Sequence, residues 1–148
     1  RLLDELAGAP VTCAIVSSGA KRFIDKGLRA LGLDHHFETI VAGDDDEVCL
    51  IDENDDEVCS HKPQPLPYTL AAQRLGVRPE ECVAFEDTIS GVRSAQAAGM
   101  RVVVMRSPAT ATLQTADDAP PAPVNGAVQP VLALVRDFDE LPRELLDL

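Results

Sequence analysis

Positive charge is scarce in this sequence: 13 Lys and Arg stand against 25 Asp and Glu, a formal net charge of −12 over 148 residues. Such a surface repels polyanions, which argues against nucleic acid and anionic membranes as partners. A single phosphate can still bind where a few donors converge. Long apolar runs are absent too, and none approaches the roughly 20 residues that a membrane span requires. The start of the chain, Arg1-Leu2-Leu3-Asp4-Glu5-Leu6, lacks the basic and then apolar pattern of a secretory leader. The expectation is a cytoplasmic protein, with organelle targeting left open. Cysteine is sparse at four residues, Cys13, Cys49, Cys59 and Cys82, and that usage fits a reducing compartment. Cys13 and Cys82 fall in apolar runs and read as small buried hydrophobes. Cys49, Cys59 and His61 follow a C-x9-C-x-H spacing that matches no common closed zinc site and offers only three ligands.

What is present is enough apolar material, 45% of residues, for one domain with a sizeable core. Residues 2–7 read as the end of a helix stopped by Gly8-Ala9-Pro10. Residues 11–16, VTCAIV, form a β-branched run suited to a strand covered on both faces. Phe23, Ile24, Leu28 and Leu31 recur at helical spacing, and Gly32 closes that helix. FETIVA, residues 37–42, is a second strand. A helix is predicted over 67–75, with proline in its favoured first turn. Residues 82–85 and 101–105 give further strands, 131–135 a last one, and 138–148 a closing helix. Residues 107–127 are rich in Ala and Pro, lack periodicity, and read as a flexible loop. Strands alternating with helices predict an α/β fold with a doubly wound parallel sheet.

Residues 44–61 form an acidic loop in which Asp45-Asp46-Glu47-Val48-Cys49 recurs unchanged as Asp55-Asp56-Glu57-Val58-Cys59. A ten-residue tandem duplication is the simplest origin. Asp52-Glu53-Asn54-Asp55-Asp56 superficially resembles an EF-hand, but Glu57 stands where the turn needs Gly and Pro63 where the bidentate Glu belongs.

Three stretches carry chemistry. The first strand ends in Ser17-Ser18-Gly19, whose hydroxyls and backbone N–H groups ahead of a helix serve either an anion or an ordinary serine cap. His61-Lys62-Pro63-Gln64-Pro65-Leu66-Pro67 holds Lys62 in stiffened backbone. It is either a solvated surface charge or a phosphate ligand. In Cys82-Val83-Ala84-Phe85-Glu86-Asp87-Thr88-Ile89-Ser90-Gly91, a strand ends in two adjacent acids before a helix. Neighbouring carboxylates at a strand's carboxyl end repel one another unless a cation lies between them, and hard oxygen ligands suit Mg²⁺. The same residues also suit a plain acidic turn capping a helix.

Taken together and in this order, these three stretches resemble the haloacid dehalogenase-like (HAD) superfamily, nearest its phosphoglycolate-phosphatase-like and β-phosphoglucomutase-like branch. The resemblance spans roughly residues 11–107. It implies that Ser17 hydrogen-bonds a transferring phosphoryl group with Ser18 and Gly19 alongside, and that Lys62 offsets charge on the phosphate. It further implies that Glu86 and Asp87 hold Mg²⁺. The family's nucleophile is the first Asp of a D-x-D motif on an N-terminal strand, and nothing before Val11 supplies it. Asp44-Asp45-Asp46 lies between the second and third motifs and lacks the following Gly/Thr. Residues 1–148 therefore read as part of a HAD-like core, incomplete at the N-terminus and without a cap. His61 stands where relatives have Gly, Pro67 where an acid is common, and the loop before Lys62 is longer than usual.

The function expected is that of a Mg²⁺-dependent phosphatase of small phosphorylated metabolites, sugar phosphate or phosphoglycolate, in a full-length form, the isolated chain being inactive. The alternatives are a phosphomutase of the β-phosphoglucomutase type and a non-catalytic HAD-like binding or regulatory domain. A receiver domain would need its acid pair on the first strand and its lysine near the last. A metal-free dehalogenase would have little use for Glu86 beside Asp87. The expected partner is a small phosphorylated metabolite, with no nucleic acid and no membrane, and oligomeric state is undetermined.

Overall fold

The computed structural model describes residues 2–51, 57–112 and 131–142. The chain forms two compact units, one of Arg1–Lys62 with Leu66–Arg78, the other of Pro63–Pro65 with Pro79–Leu148. Both are α/β, each with a helix joining two parallel strands.

The first unit runs α1 (Leu2–Ala7), β1 (Ala14–Val16), α2 (Lys21–Leu31), β2 (Thr39–Val41), β3 (Cys49–Ile51), β4 (Glu57–Cys59) and α3 (Leu66–Leu75). β1 and β2 pair in parallel, Ala14 opposite Thr39 and Val16 opposite Val41, across the α2 crossover. α3 packs on both strands. Its Leu70 and Ala71 join Val41 and Val48 in the buried core, with Ala14, Val16 and Cys49 packed against them. The prolines explain the start of α3: Pro65 precedes it, and Pro67 sits in the first turn, where no backbone N–H is required. α2 ends as its sequence predicts, with Gly32 at φ 67° closing it. Its apolar residues, however, form no buried face: Phe23 is 64% exposed and Leu31 72%. Arg22 lies over the Phe23 ring, 4.6 Å from its centroid.

The acidic loop expected over residues 44–61 is corrected in part. β3 and β4 form an antiparallel ladder in which Cys49 faces Cys59 and Ile51 faces Glu57. The acids hid a hairpin whose strands are three residues each, too short for an alternating pattern to stand out. Asp52 to Asp56, where the EF-hand-like pattern falls, lie outside the described residues.

The second unit holds β5 (Val83–Glu86), α4 (Ile89–Ala97), β6 (Arg101–Met105) and β7 (Val131–Val135). The three strands pair in parallel in the order β5-β6-β7, with a register shift between Val102 and Val103. β6 is central, and Val102, Val103 and Val104 are fully buried, as expected of an apolar run covered on both faces. Phe85 and Phe138 rings meet at 5.7 Å. Two local expectations change. Pro108–Thr110, at the head of the predicted loop, forms a 3₁₀ turn with a Ser107/Thr110 capping box. Phe138–Glu140 is a single 3₁₀ turn capped by Asp137. The rest of the predicted loop, from 113 on, and residues 143–148 of the predicted closing helix lie outside the described residues. Among those described, no helix is long and apolar enough to cross a membrane.

Candidate active site

β1 delivers Ser17 at its carboxyl end, where the Ser17 backbone N–H donates to Val41 at 2.9 Å. The Ser17 hydroxyl oxygen then accepts the Gly19 N–H at 3.1 Å, turning the chain. A second loop straps this turn. Gly43 N–H donates to the Gly19 carbonyl at 3.0 Å, and the Lys21 N–H, at the head of α2, donates to Asp44 Oδ1 at 2.7 Å. The approach is so close that a Cβ on Gly43 would lie 2.3 Å from the Ser18 carbonyl oxygen and 2.8 Å from its carbon. Gly43 was not singled out in the sequence, although glycine directly after a strand is the usual mark of such an approach.

Lys62 reaches the same place. Its ammonium donates to the Val16 carbonyl at 3.1 Å, one residue before Ser17, and lies 3.5 Å from the Tyr68 hydroxyl. The Tyr68 ring, 5.0 Å from Nζ, adds a cation–π contact from α3. The side chain is half-buried. The extra length of the loop before Lys62 is taken up by the β3–β4 hairpin, so the lysine still lies at the end of β1. Ser17 and Lys62 are thus brought together within the first unit. Tyr68, another contact missed in the sequence, is the molecule's one tyrosine.

In the second unit, β5 ends on Glu86, which is 5% exposed, while Asp87 is exposed. The Thr88 hydroxyl donates to Glu86 Oε2 at 3.3 Å and accepts the Gly91 N–H at 3.1 Å, capping α4. The Asp87 carbonyl accepts from the Ser107 hydroxyl. Gly91 makes the space for the carboxylate, since a Cβ there would lie 1.9 Å from Glu86 Oε2. A carboxylate buried at a strand's carboxyl end beside an exposed one is a hard-oxygen donor pair.

The acidic stretch has a structural duty. Arg74 of α3 grips Asp45 through two bonds of 2.8 Å, Glu47 through one of 2.6 Å, and the Ile40 carbonyl at 3.0 Å. The bidentate Arg74 bond holds the Asp45 carboxyl below its ordinary value near 3.8 and pushes the Arg74 guanidinium up. A depressed carboxylate pKa adds stability above the unfolded-state pKa, and that stability is lost as pH falls through the folded one. Asp45→Asn is therefore expected to destabilise the protein by about 1–2 kcal/mol at neutral pH. The gap to wild type should shrink as pH drops below about 4, which urea unfolding at pH 7 and pH 3 will show.

A sequence model of haloacid dehalogenase-like hydrolases matches residues 1–99. The chain belongs to that family. The chain is 41% identical over 92 residues to fructose-1-phosphate phosphatase YqaB of Escherichia coli, covering 62% of itself and 43% of that protein. It is 33% identical over 103 residues to phosphoglycolate phosphatase of Pectobacterium atrosepticum, covering 70% of itself and 39% of that protein. Among solved structures, CbbY of Rhodobacter sphaeroides in complex with phosphate superposes with a TM-score of 0.73 at 28% identity, covering 99% of this chain and 56% of that one. The chain thus spans less than half the length of these two curated HAD-like relatives.

Proposed function

We propose that this HAD-like chain carries the phosphate-holding and metal-holding part of a phosphatase of small phosphorylated metabolites, of the sugar phosphate or phosphoglycolate type. The observation that carries the reading is the meeting of Lys62 and the Ser17 turn at one strand end, each with donors suited to a phosphoryl group. The sugar-phosphate and phosphoglycolate phosphatases among its relatives support the substrate class. Lys62 offsets phosphate charge, the Ser17 hydroxyl donates to a phosphoryl oxygen, and the Ser18 and Gly19 backbone lines the turn. Glu86 and Asp87 fit Mg²⁺ by the chemistry of their oxygens and the space Gly91 leaves. When bound, Mg²⁺ would neutralise charge on the phosphate. Tyr68 holds the Lys62 ammonium over the end of β1, so the lysine is oriented before substrate arrives.

The reading assigns no nucleophile to these 148 residues, so the purified chain is expected to show no Mg²⁺-dependent hydrolysis of p-nitrophenyl phosphate. Turnover by the chain alone would overturn that division of labour. Binding tests the reading itself: inorganic phosphate, followed by ³¹P NMR in the presence of Mg²⁺, should bind Lys62→Met roughly tenfold or more weakly than wild type, the loss of one charge-assisted hydrogen bond. Equal binding would remove Lys62 from the site.

A further inference from the structure

The sequence duplication places two thiols ten residues apart, and the fold turns that spacing into a meeting. In the β3–β4 ladder Cys49 stands directly opposite Cys59, and the two are joined in a disulfide. The ladder continues one step further, the Ser60 N–H donating to Val48 at 2.9 Å, which brings the next residue back alongside Cys49. His61 Nε2 lies 3.8 Å from Cys49 Sγ. The donor atoms of Cys49, Cys59 and His61 all fall within 4.8 Å of one another. Donors of one tetrahedral zinc ion, with Zn–S about 2.3 Å and Zn–N about 2.0 Å, stand roughly 3.5–3.8 Å apart. Once the sulfurs part, the cluster has that size.

We propose that Cys49, Cys59 and His61 form a soft-metal site, taking Zn²⁺ with water in the fourth position, that exists only when the Cys49–Cys59 disulfide is reduced. Two equivalents of a monothiol such as glutathione cleave the disulfide to two protein thiols and release the oxidised dimer. Zn²⁺ then displaces two protons from those thiols. Oxidation by a small-molecule disulfide reverses the sequence and expels the ion, because a sulfur bonded to sulfur is no longer a thiolate donor.

The surroundings favour this pair over the other two cysteines. Cys49 is fixed, packed against the core of Val41, Val48, Leu70 and Ala71, with its sulfur 3.4 Å from the Gly43 carbonyl. His61 is exposed, which gives an ion a way in. Burial pushes the thiols of Cys13 and Cys82 up, and among the described residues neither belongs to a cluster of metal-ligating side chains. Three ligands make an open site, unlike the closed four-ligand structural kind, so the spacing that fits no zinc finger is no obstacle.

Cobalt(II) serves as the visible probe. The chain reduced with a phosphine and then freed of it should bind one Co²⁺ with thiolate-to-cobalt charge-transfer absorption, and Zn²⁺ should bleach the signal. The same chain oxidised with glutathione disulfide should show none. Thiol titration in denaturant should count four thiols in the reduced chain and two in the oxidised one. Cys13→Ser/Cys82→Ser should keep the signal, whereas Cys49→Ser/Cys59→Ser should lose it and His61→Ala should bind at least tenfold more weakly. Absorption that survives oxidation, or that follows Cys13 and Cys82, would overturn the site. The comparison of oxidised with reduced wild type needs no variant to fold.

Discussion

Gly43→Ala is expected to lower the unfolding midpoint by about 5–20 °C, from an overpacking cost of about 1–3 kcal/mol in a unit of this size. The added methyl would meet the Ser18 carbonyl oxygen at 2.3 Å and its carbon at 2.8 Å. Both are backbone atoms in a turn already bonded through Gly19, so neither swings aside as a side chain would. Relief has to come from parting the Gly43 loop from the Ser17 turn, which breaks the strap at the end of β1. Gly27→Ala supplies the control. Gly27 lies within α2 with nothing near its missing Cβ, and the same substitution there should stabilise by about 0.5–1 kcal/mol. Thermal unfolding followed by circular dichroism separates the two, and a Gly43→Ala midpoint at or above that of wild type would refute the close packing.

Gly91→Ala tests the proposed metal-holding pair of the second unit. Its methyl would fall 1.9 Å from Glu86 Oε2 and 2.0 Å from the carboxyl carbon, and Glu86 is buried, so its carboxylate has to leave its place. Two consequences are expected together. Stability falls by about 1–3 kcal/mol, and the response to Mg²⁺ disappears. For wild type, an ion that binds only the folded state adds about 2 kcal/mol at roughly thirty times its Kd. Glu86→Ala/Gly91→Ala makes room for the methyl, so it should recover part of the stability while remaining deaf to Mg²⁺. That pattern separates crowding from lost coordination. A Gly91→Ala protein that Mg²⁺ still stabilises as it does wild type would take Glu86 out of the metal site.

Much of this arrangement was legible in the residue pattern, and the exceptions share a cause. β5, the acids at its end and α4 follow one another with a strand run, Thr88 and an alanine-rich segment, all local signals. α3 was placed within a residue because Pro67 and Gly76 mark its ends. The β3–β4 hairpin was hidden because its pairing is decided across the chain, Cys49 against Cys59, by residues whose local character is acidic. The disulfide follows from that register, whereas sparse cysteine usage had suggested free thiols in a reducing compartment. Arg74 was invisible for a similar reason: its partners Asp45 and Glu47 lie 29 and 27 residues away in sequence. The helical spacing of Phe23 and Leu31 rightly gave a helix but carried no information about whether anything covers it.

The short strap of Pro63–Pro65 belongs to the second unit although the residues on both sides of it belong to the first. Its Gln64 carbonyl accepts the hydroxyl of Ser94, a side chain of α4 with no exposed surface. Neither half can therefore be cut out as an unbroken length of chain. A fragment starting at Pro79 would strand a dry hydroxyl inside α4, and a protease nick within the strap would loosen a helix whose own peptide bonds it never touched.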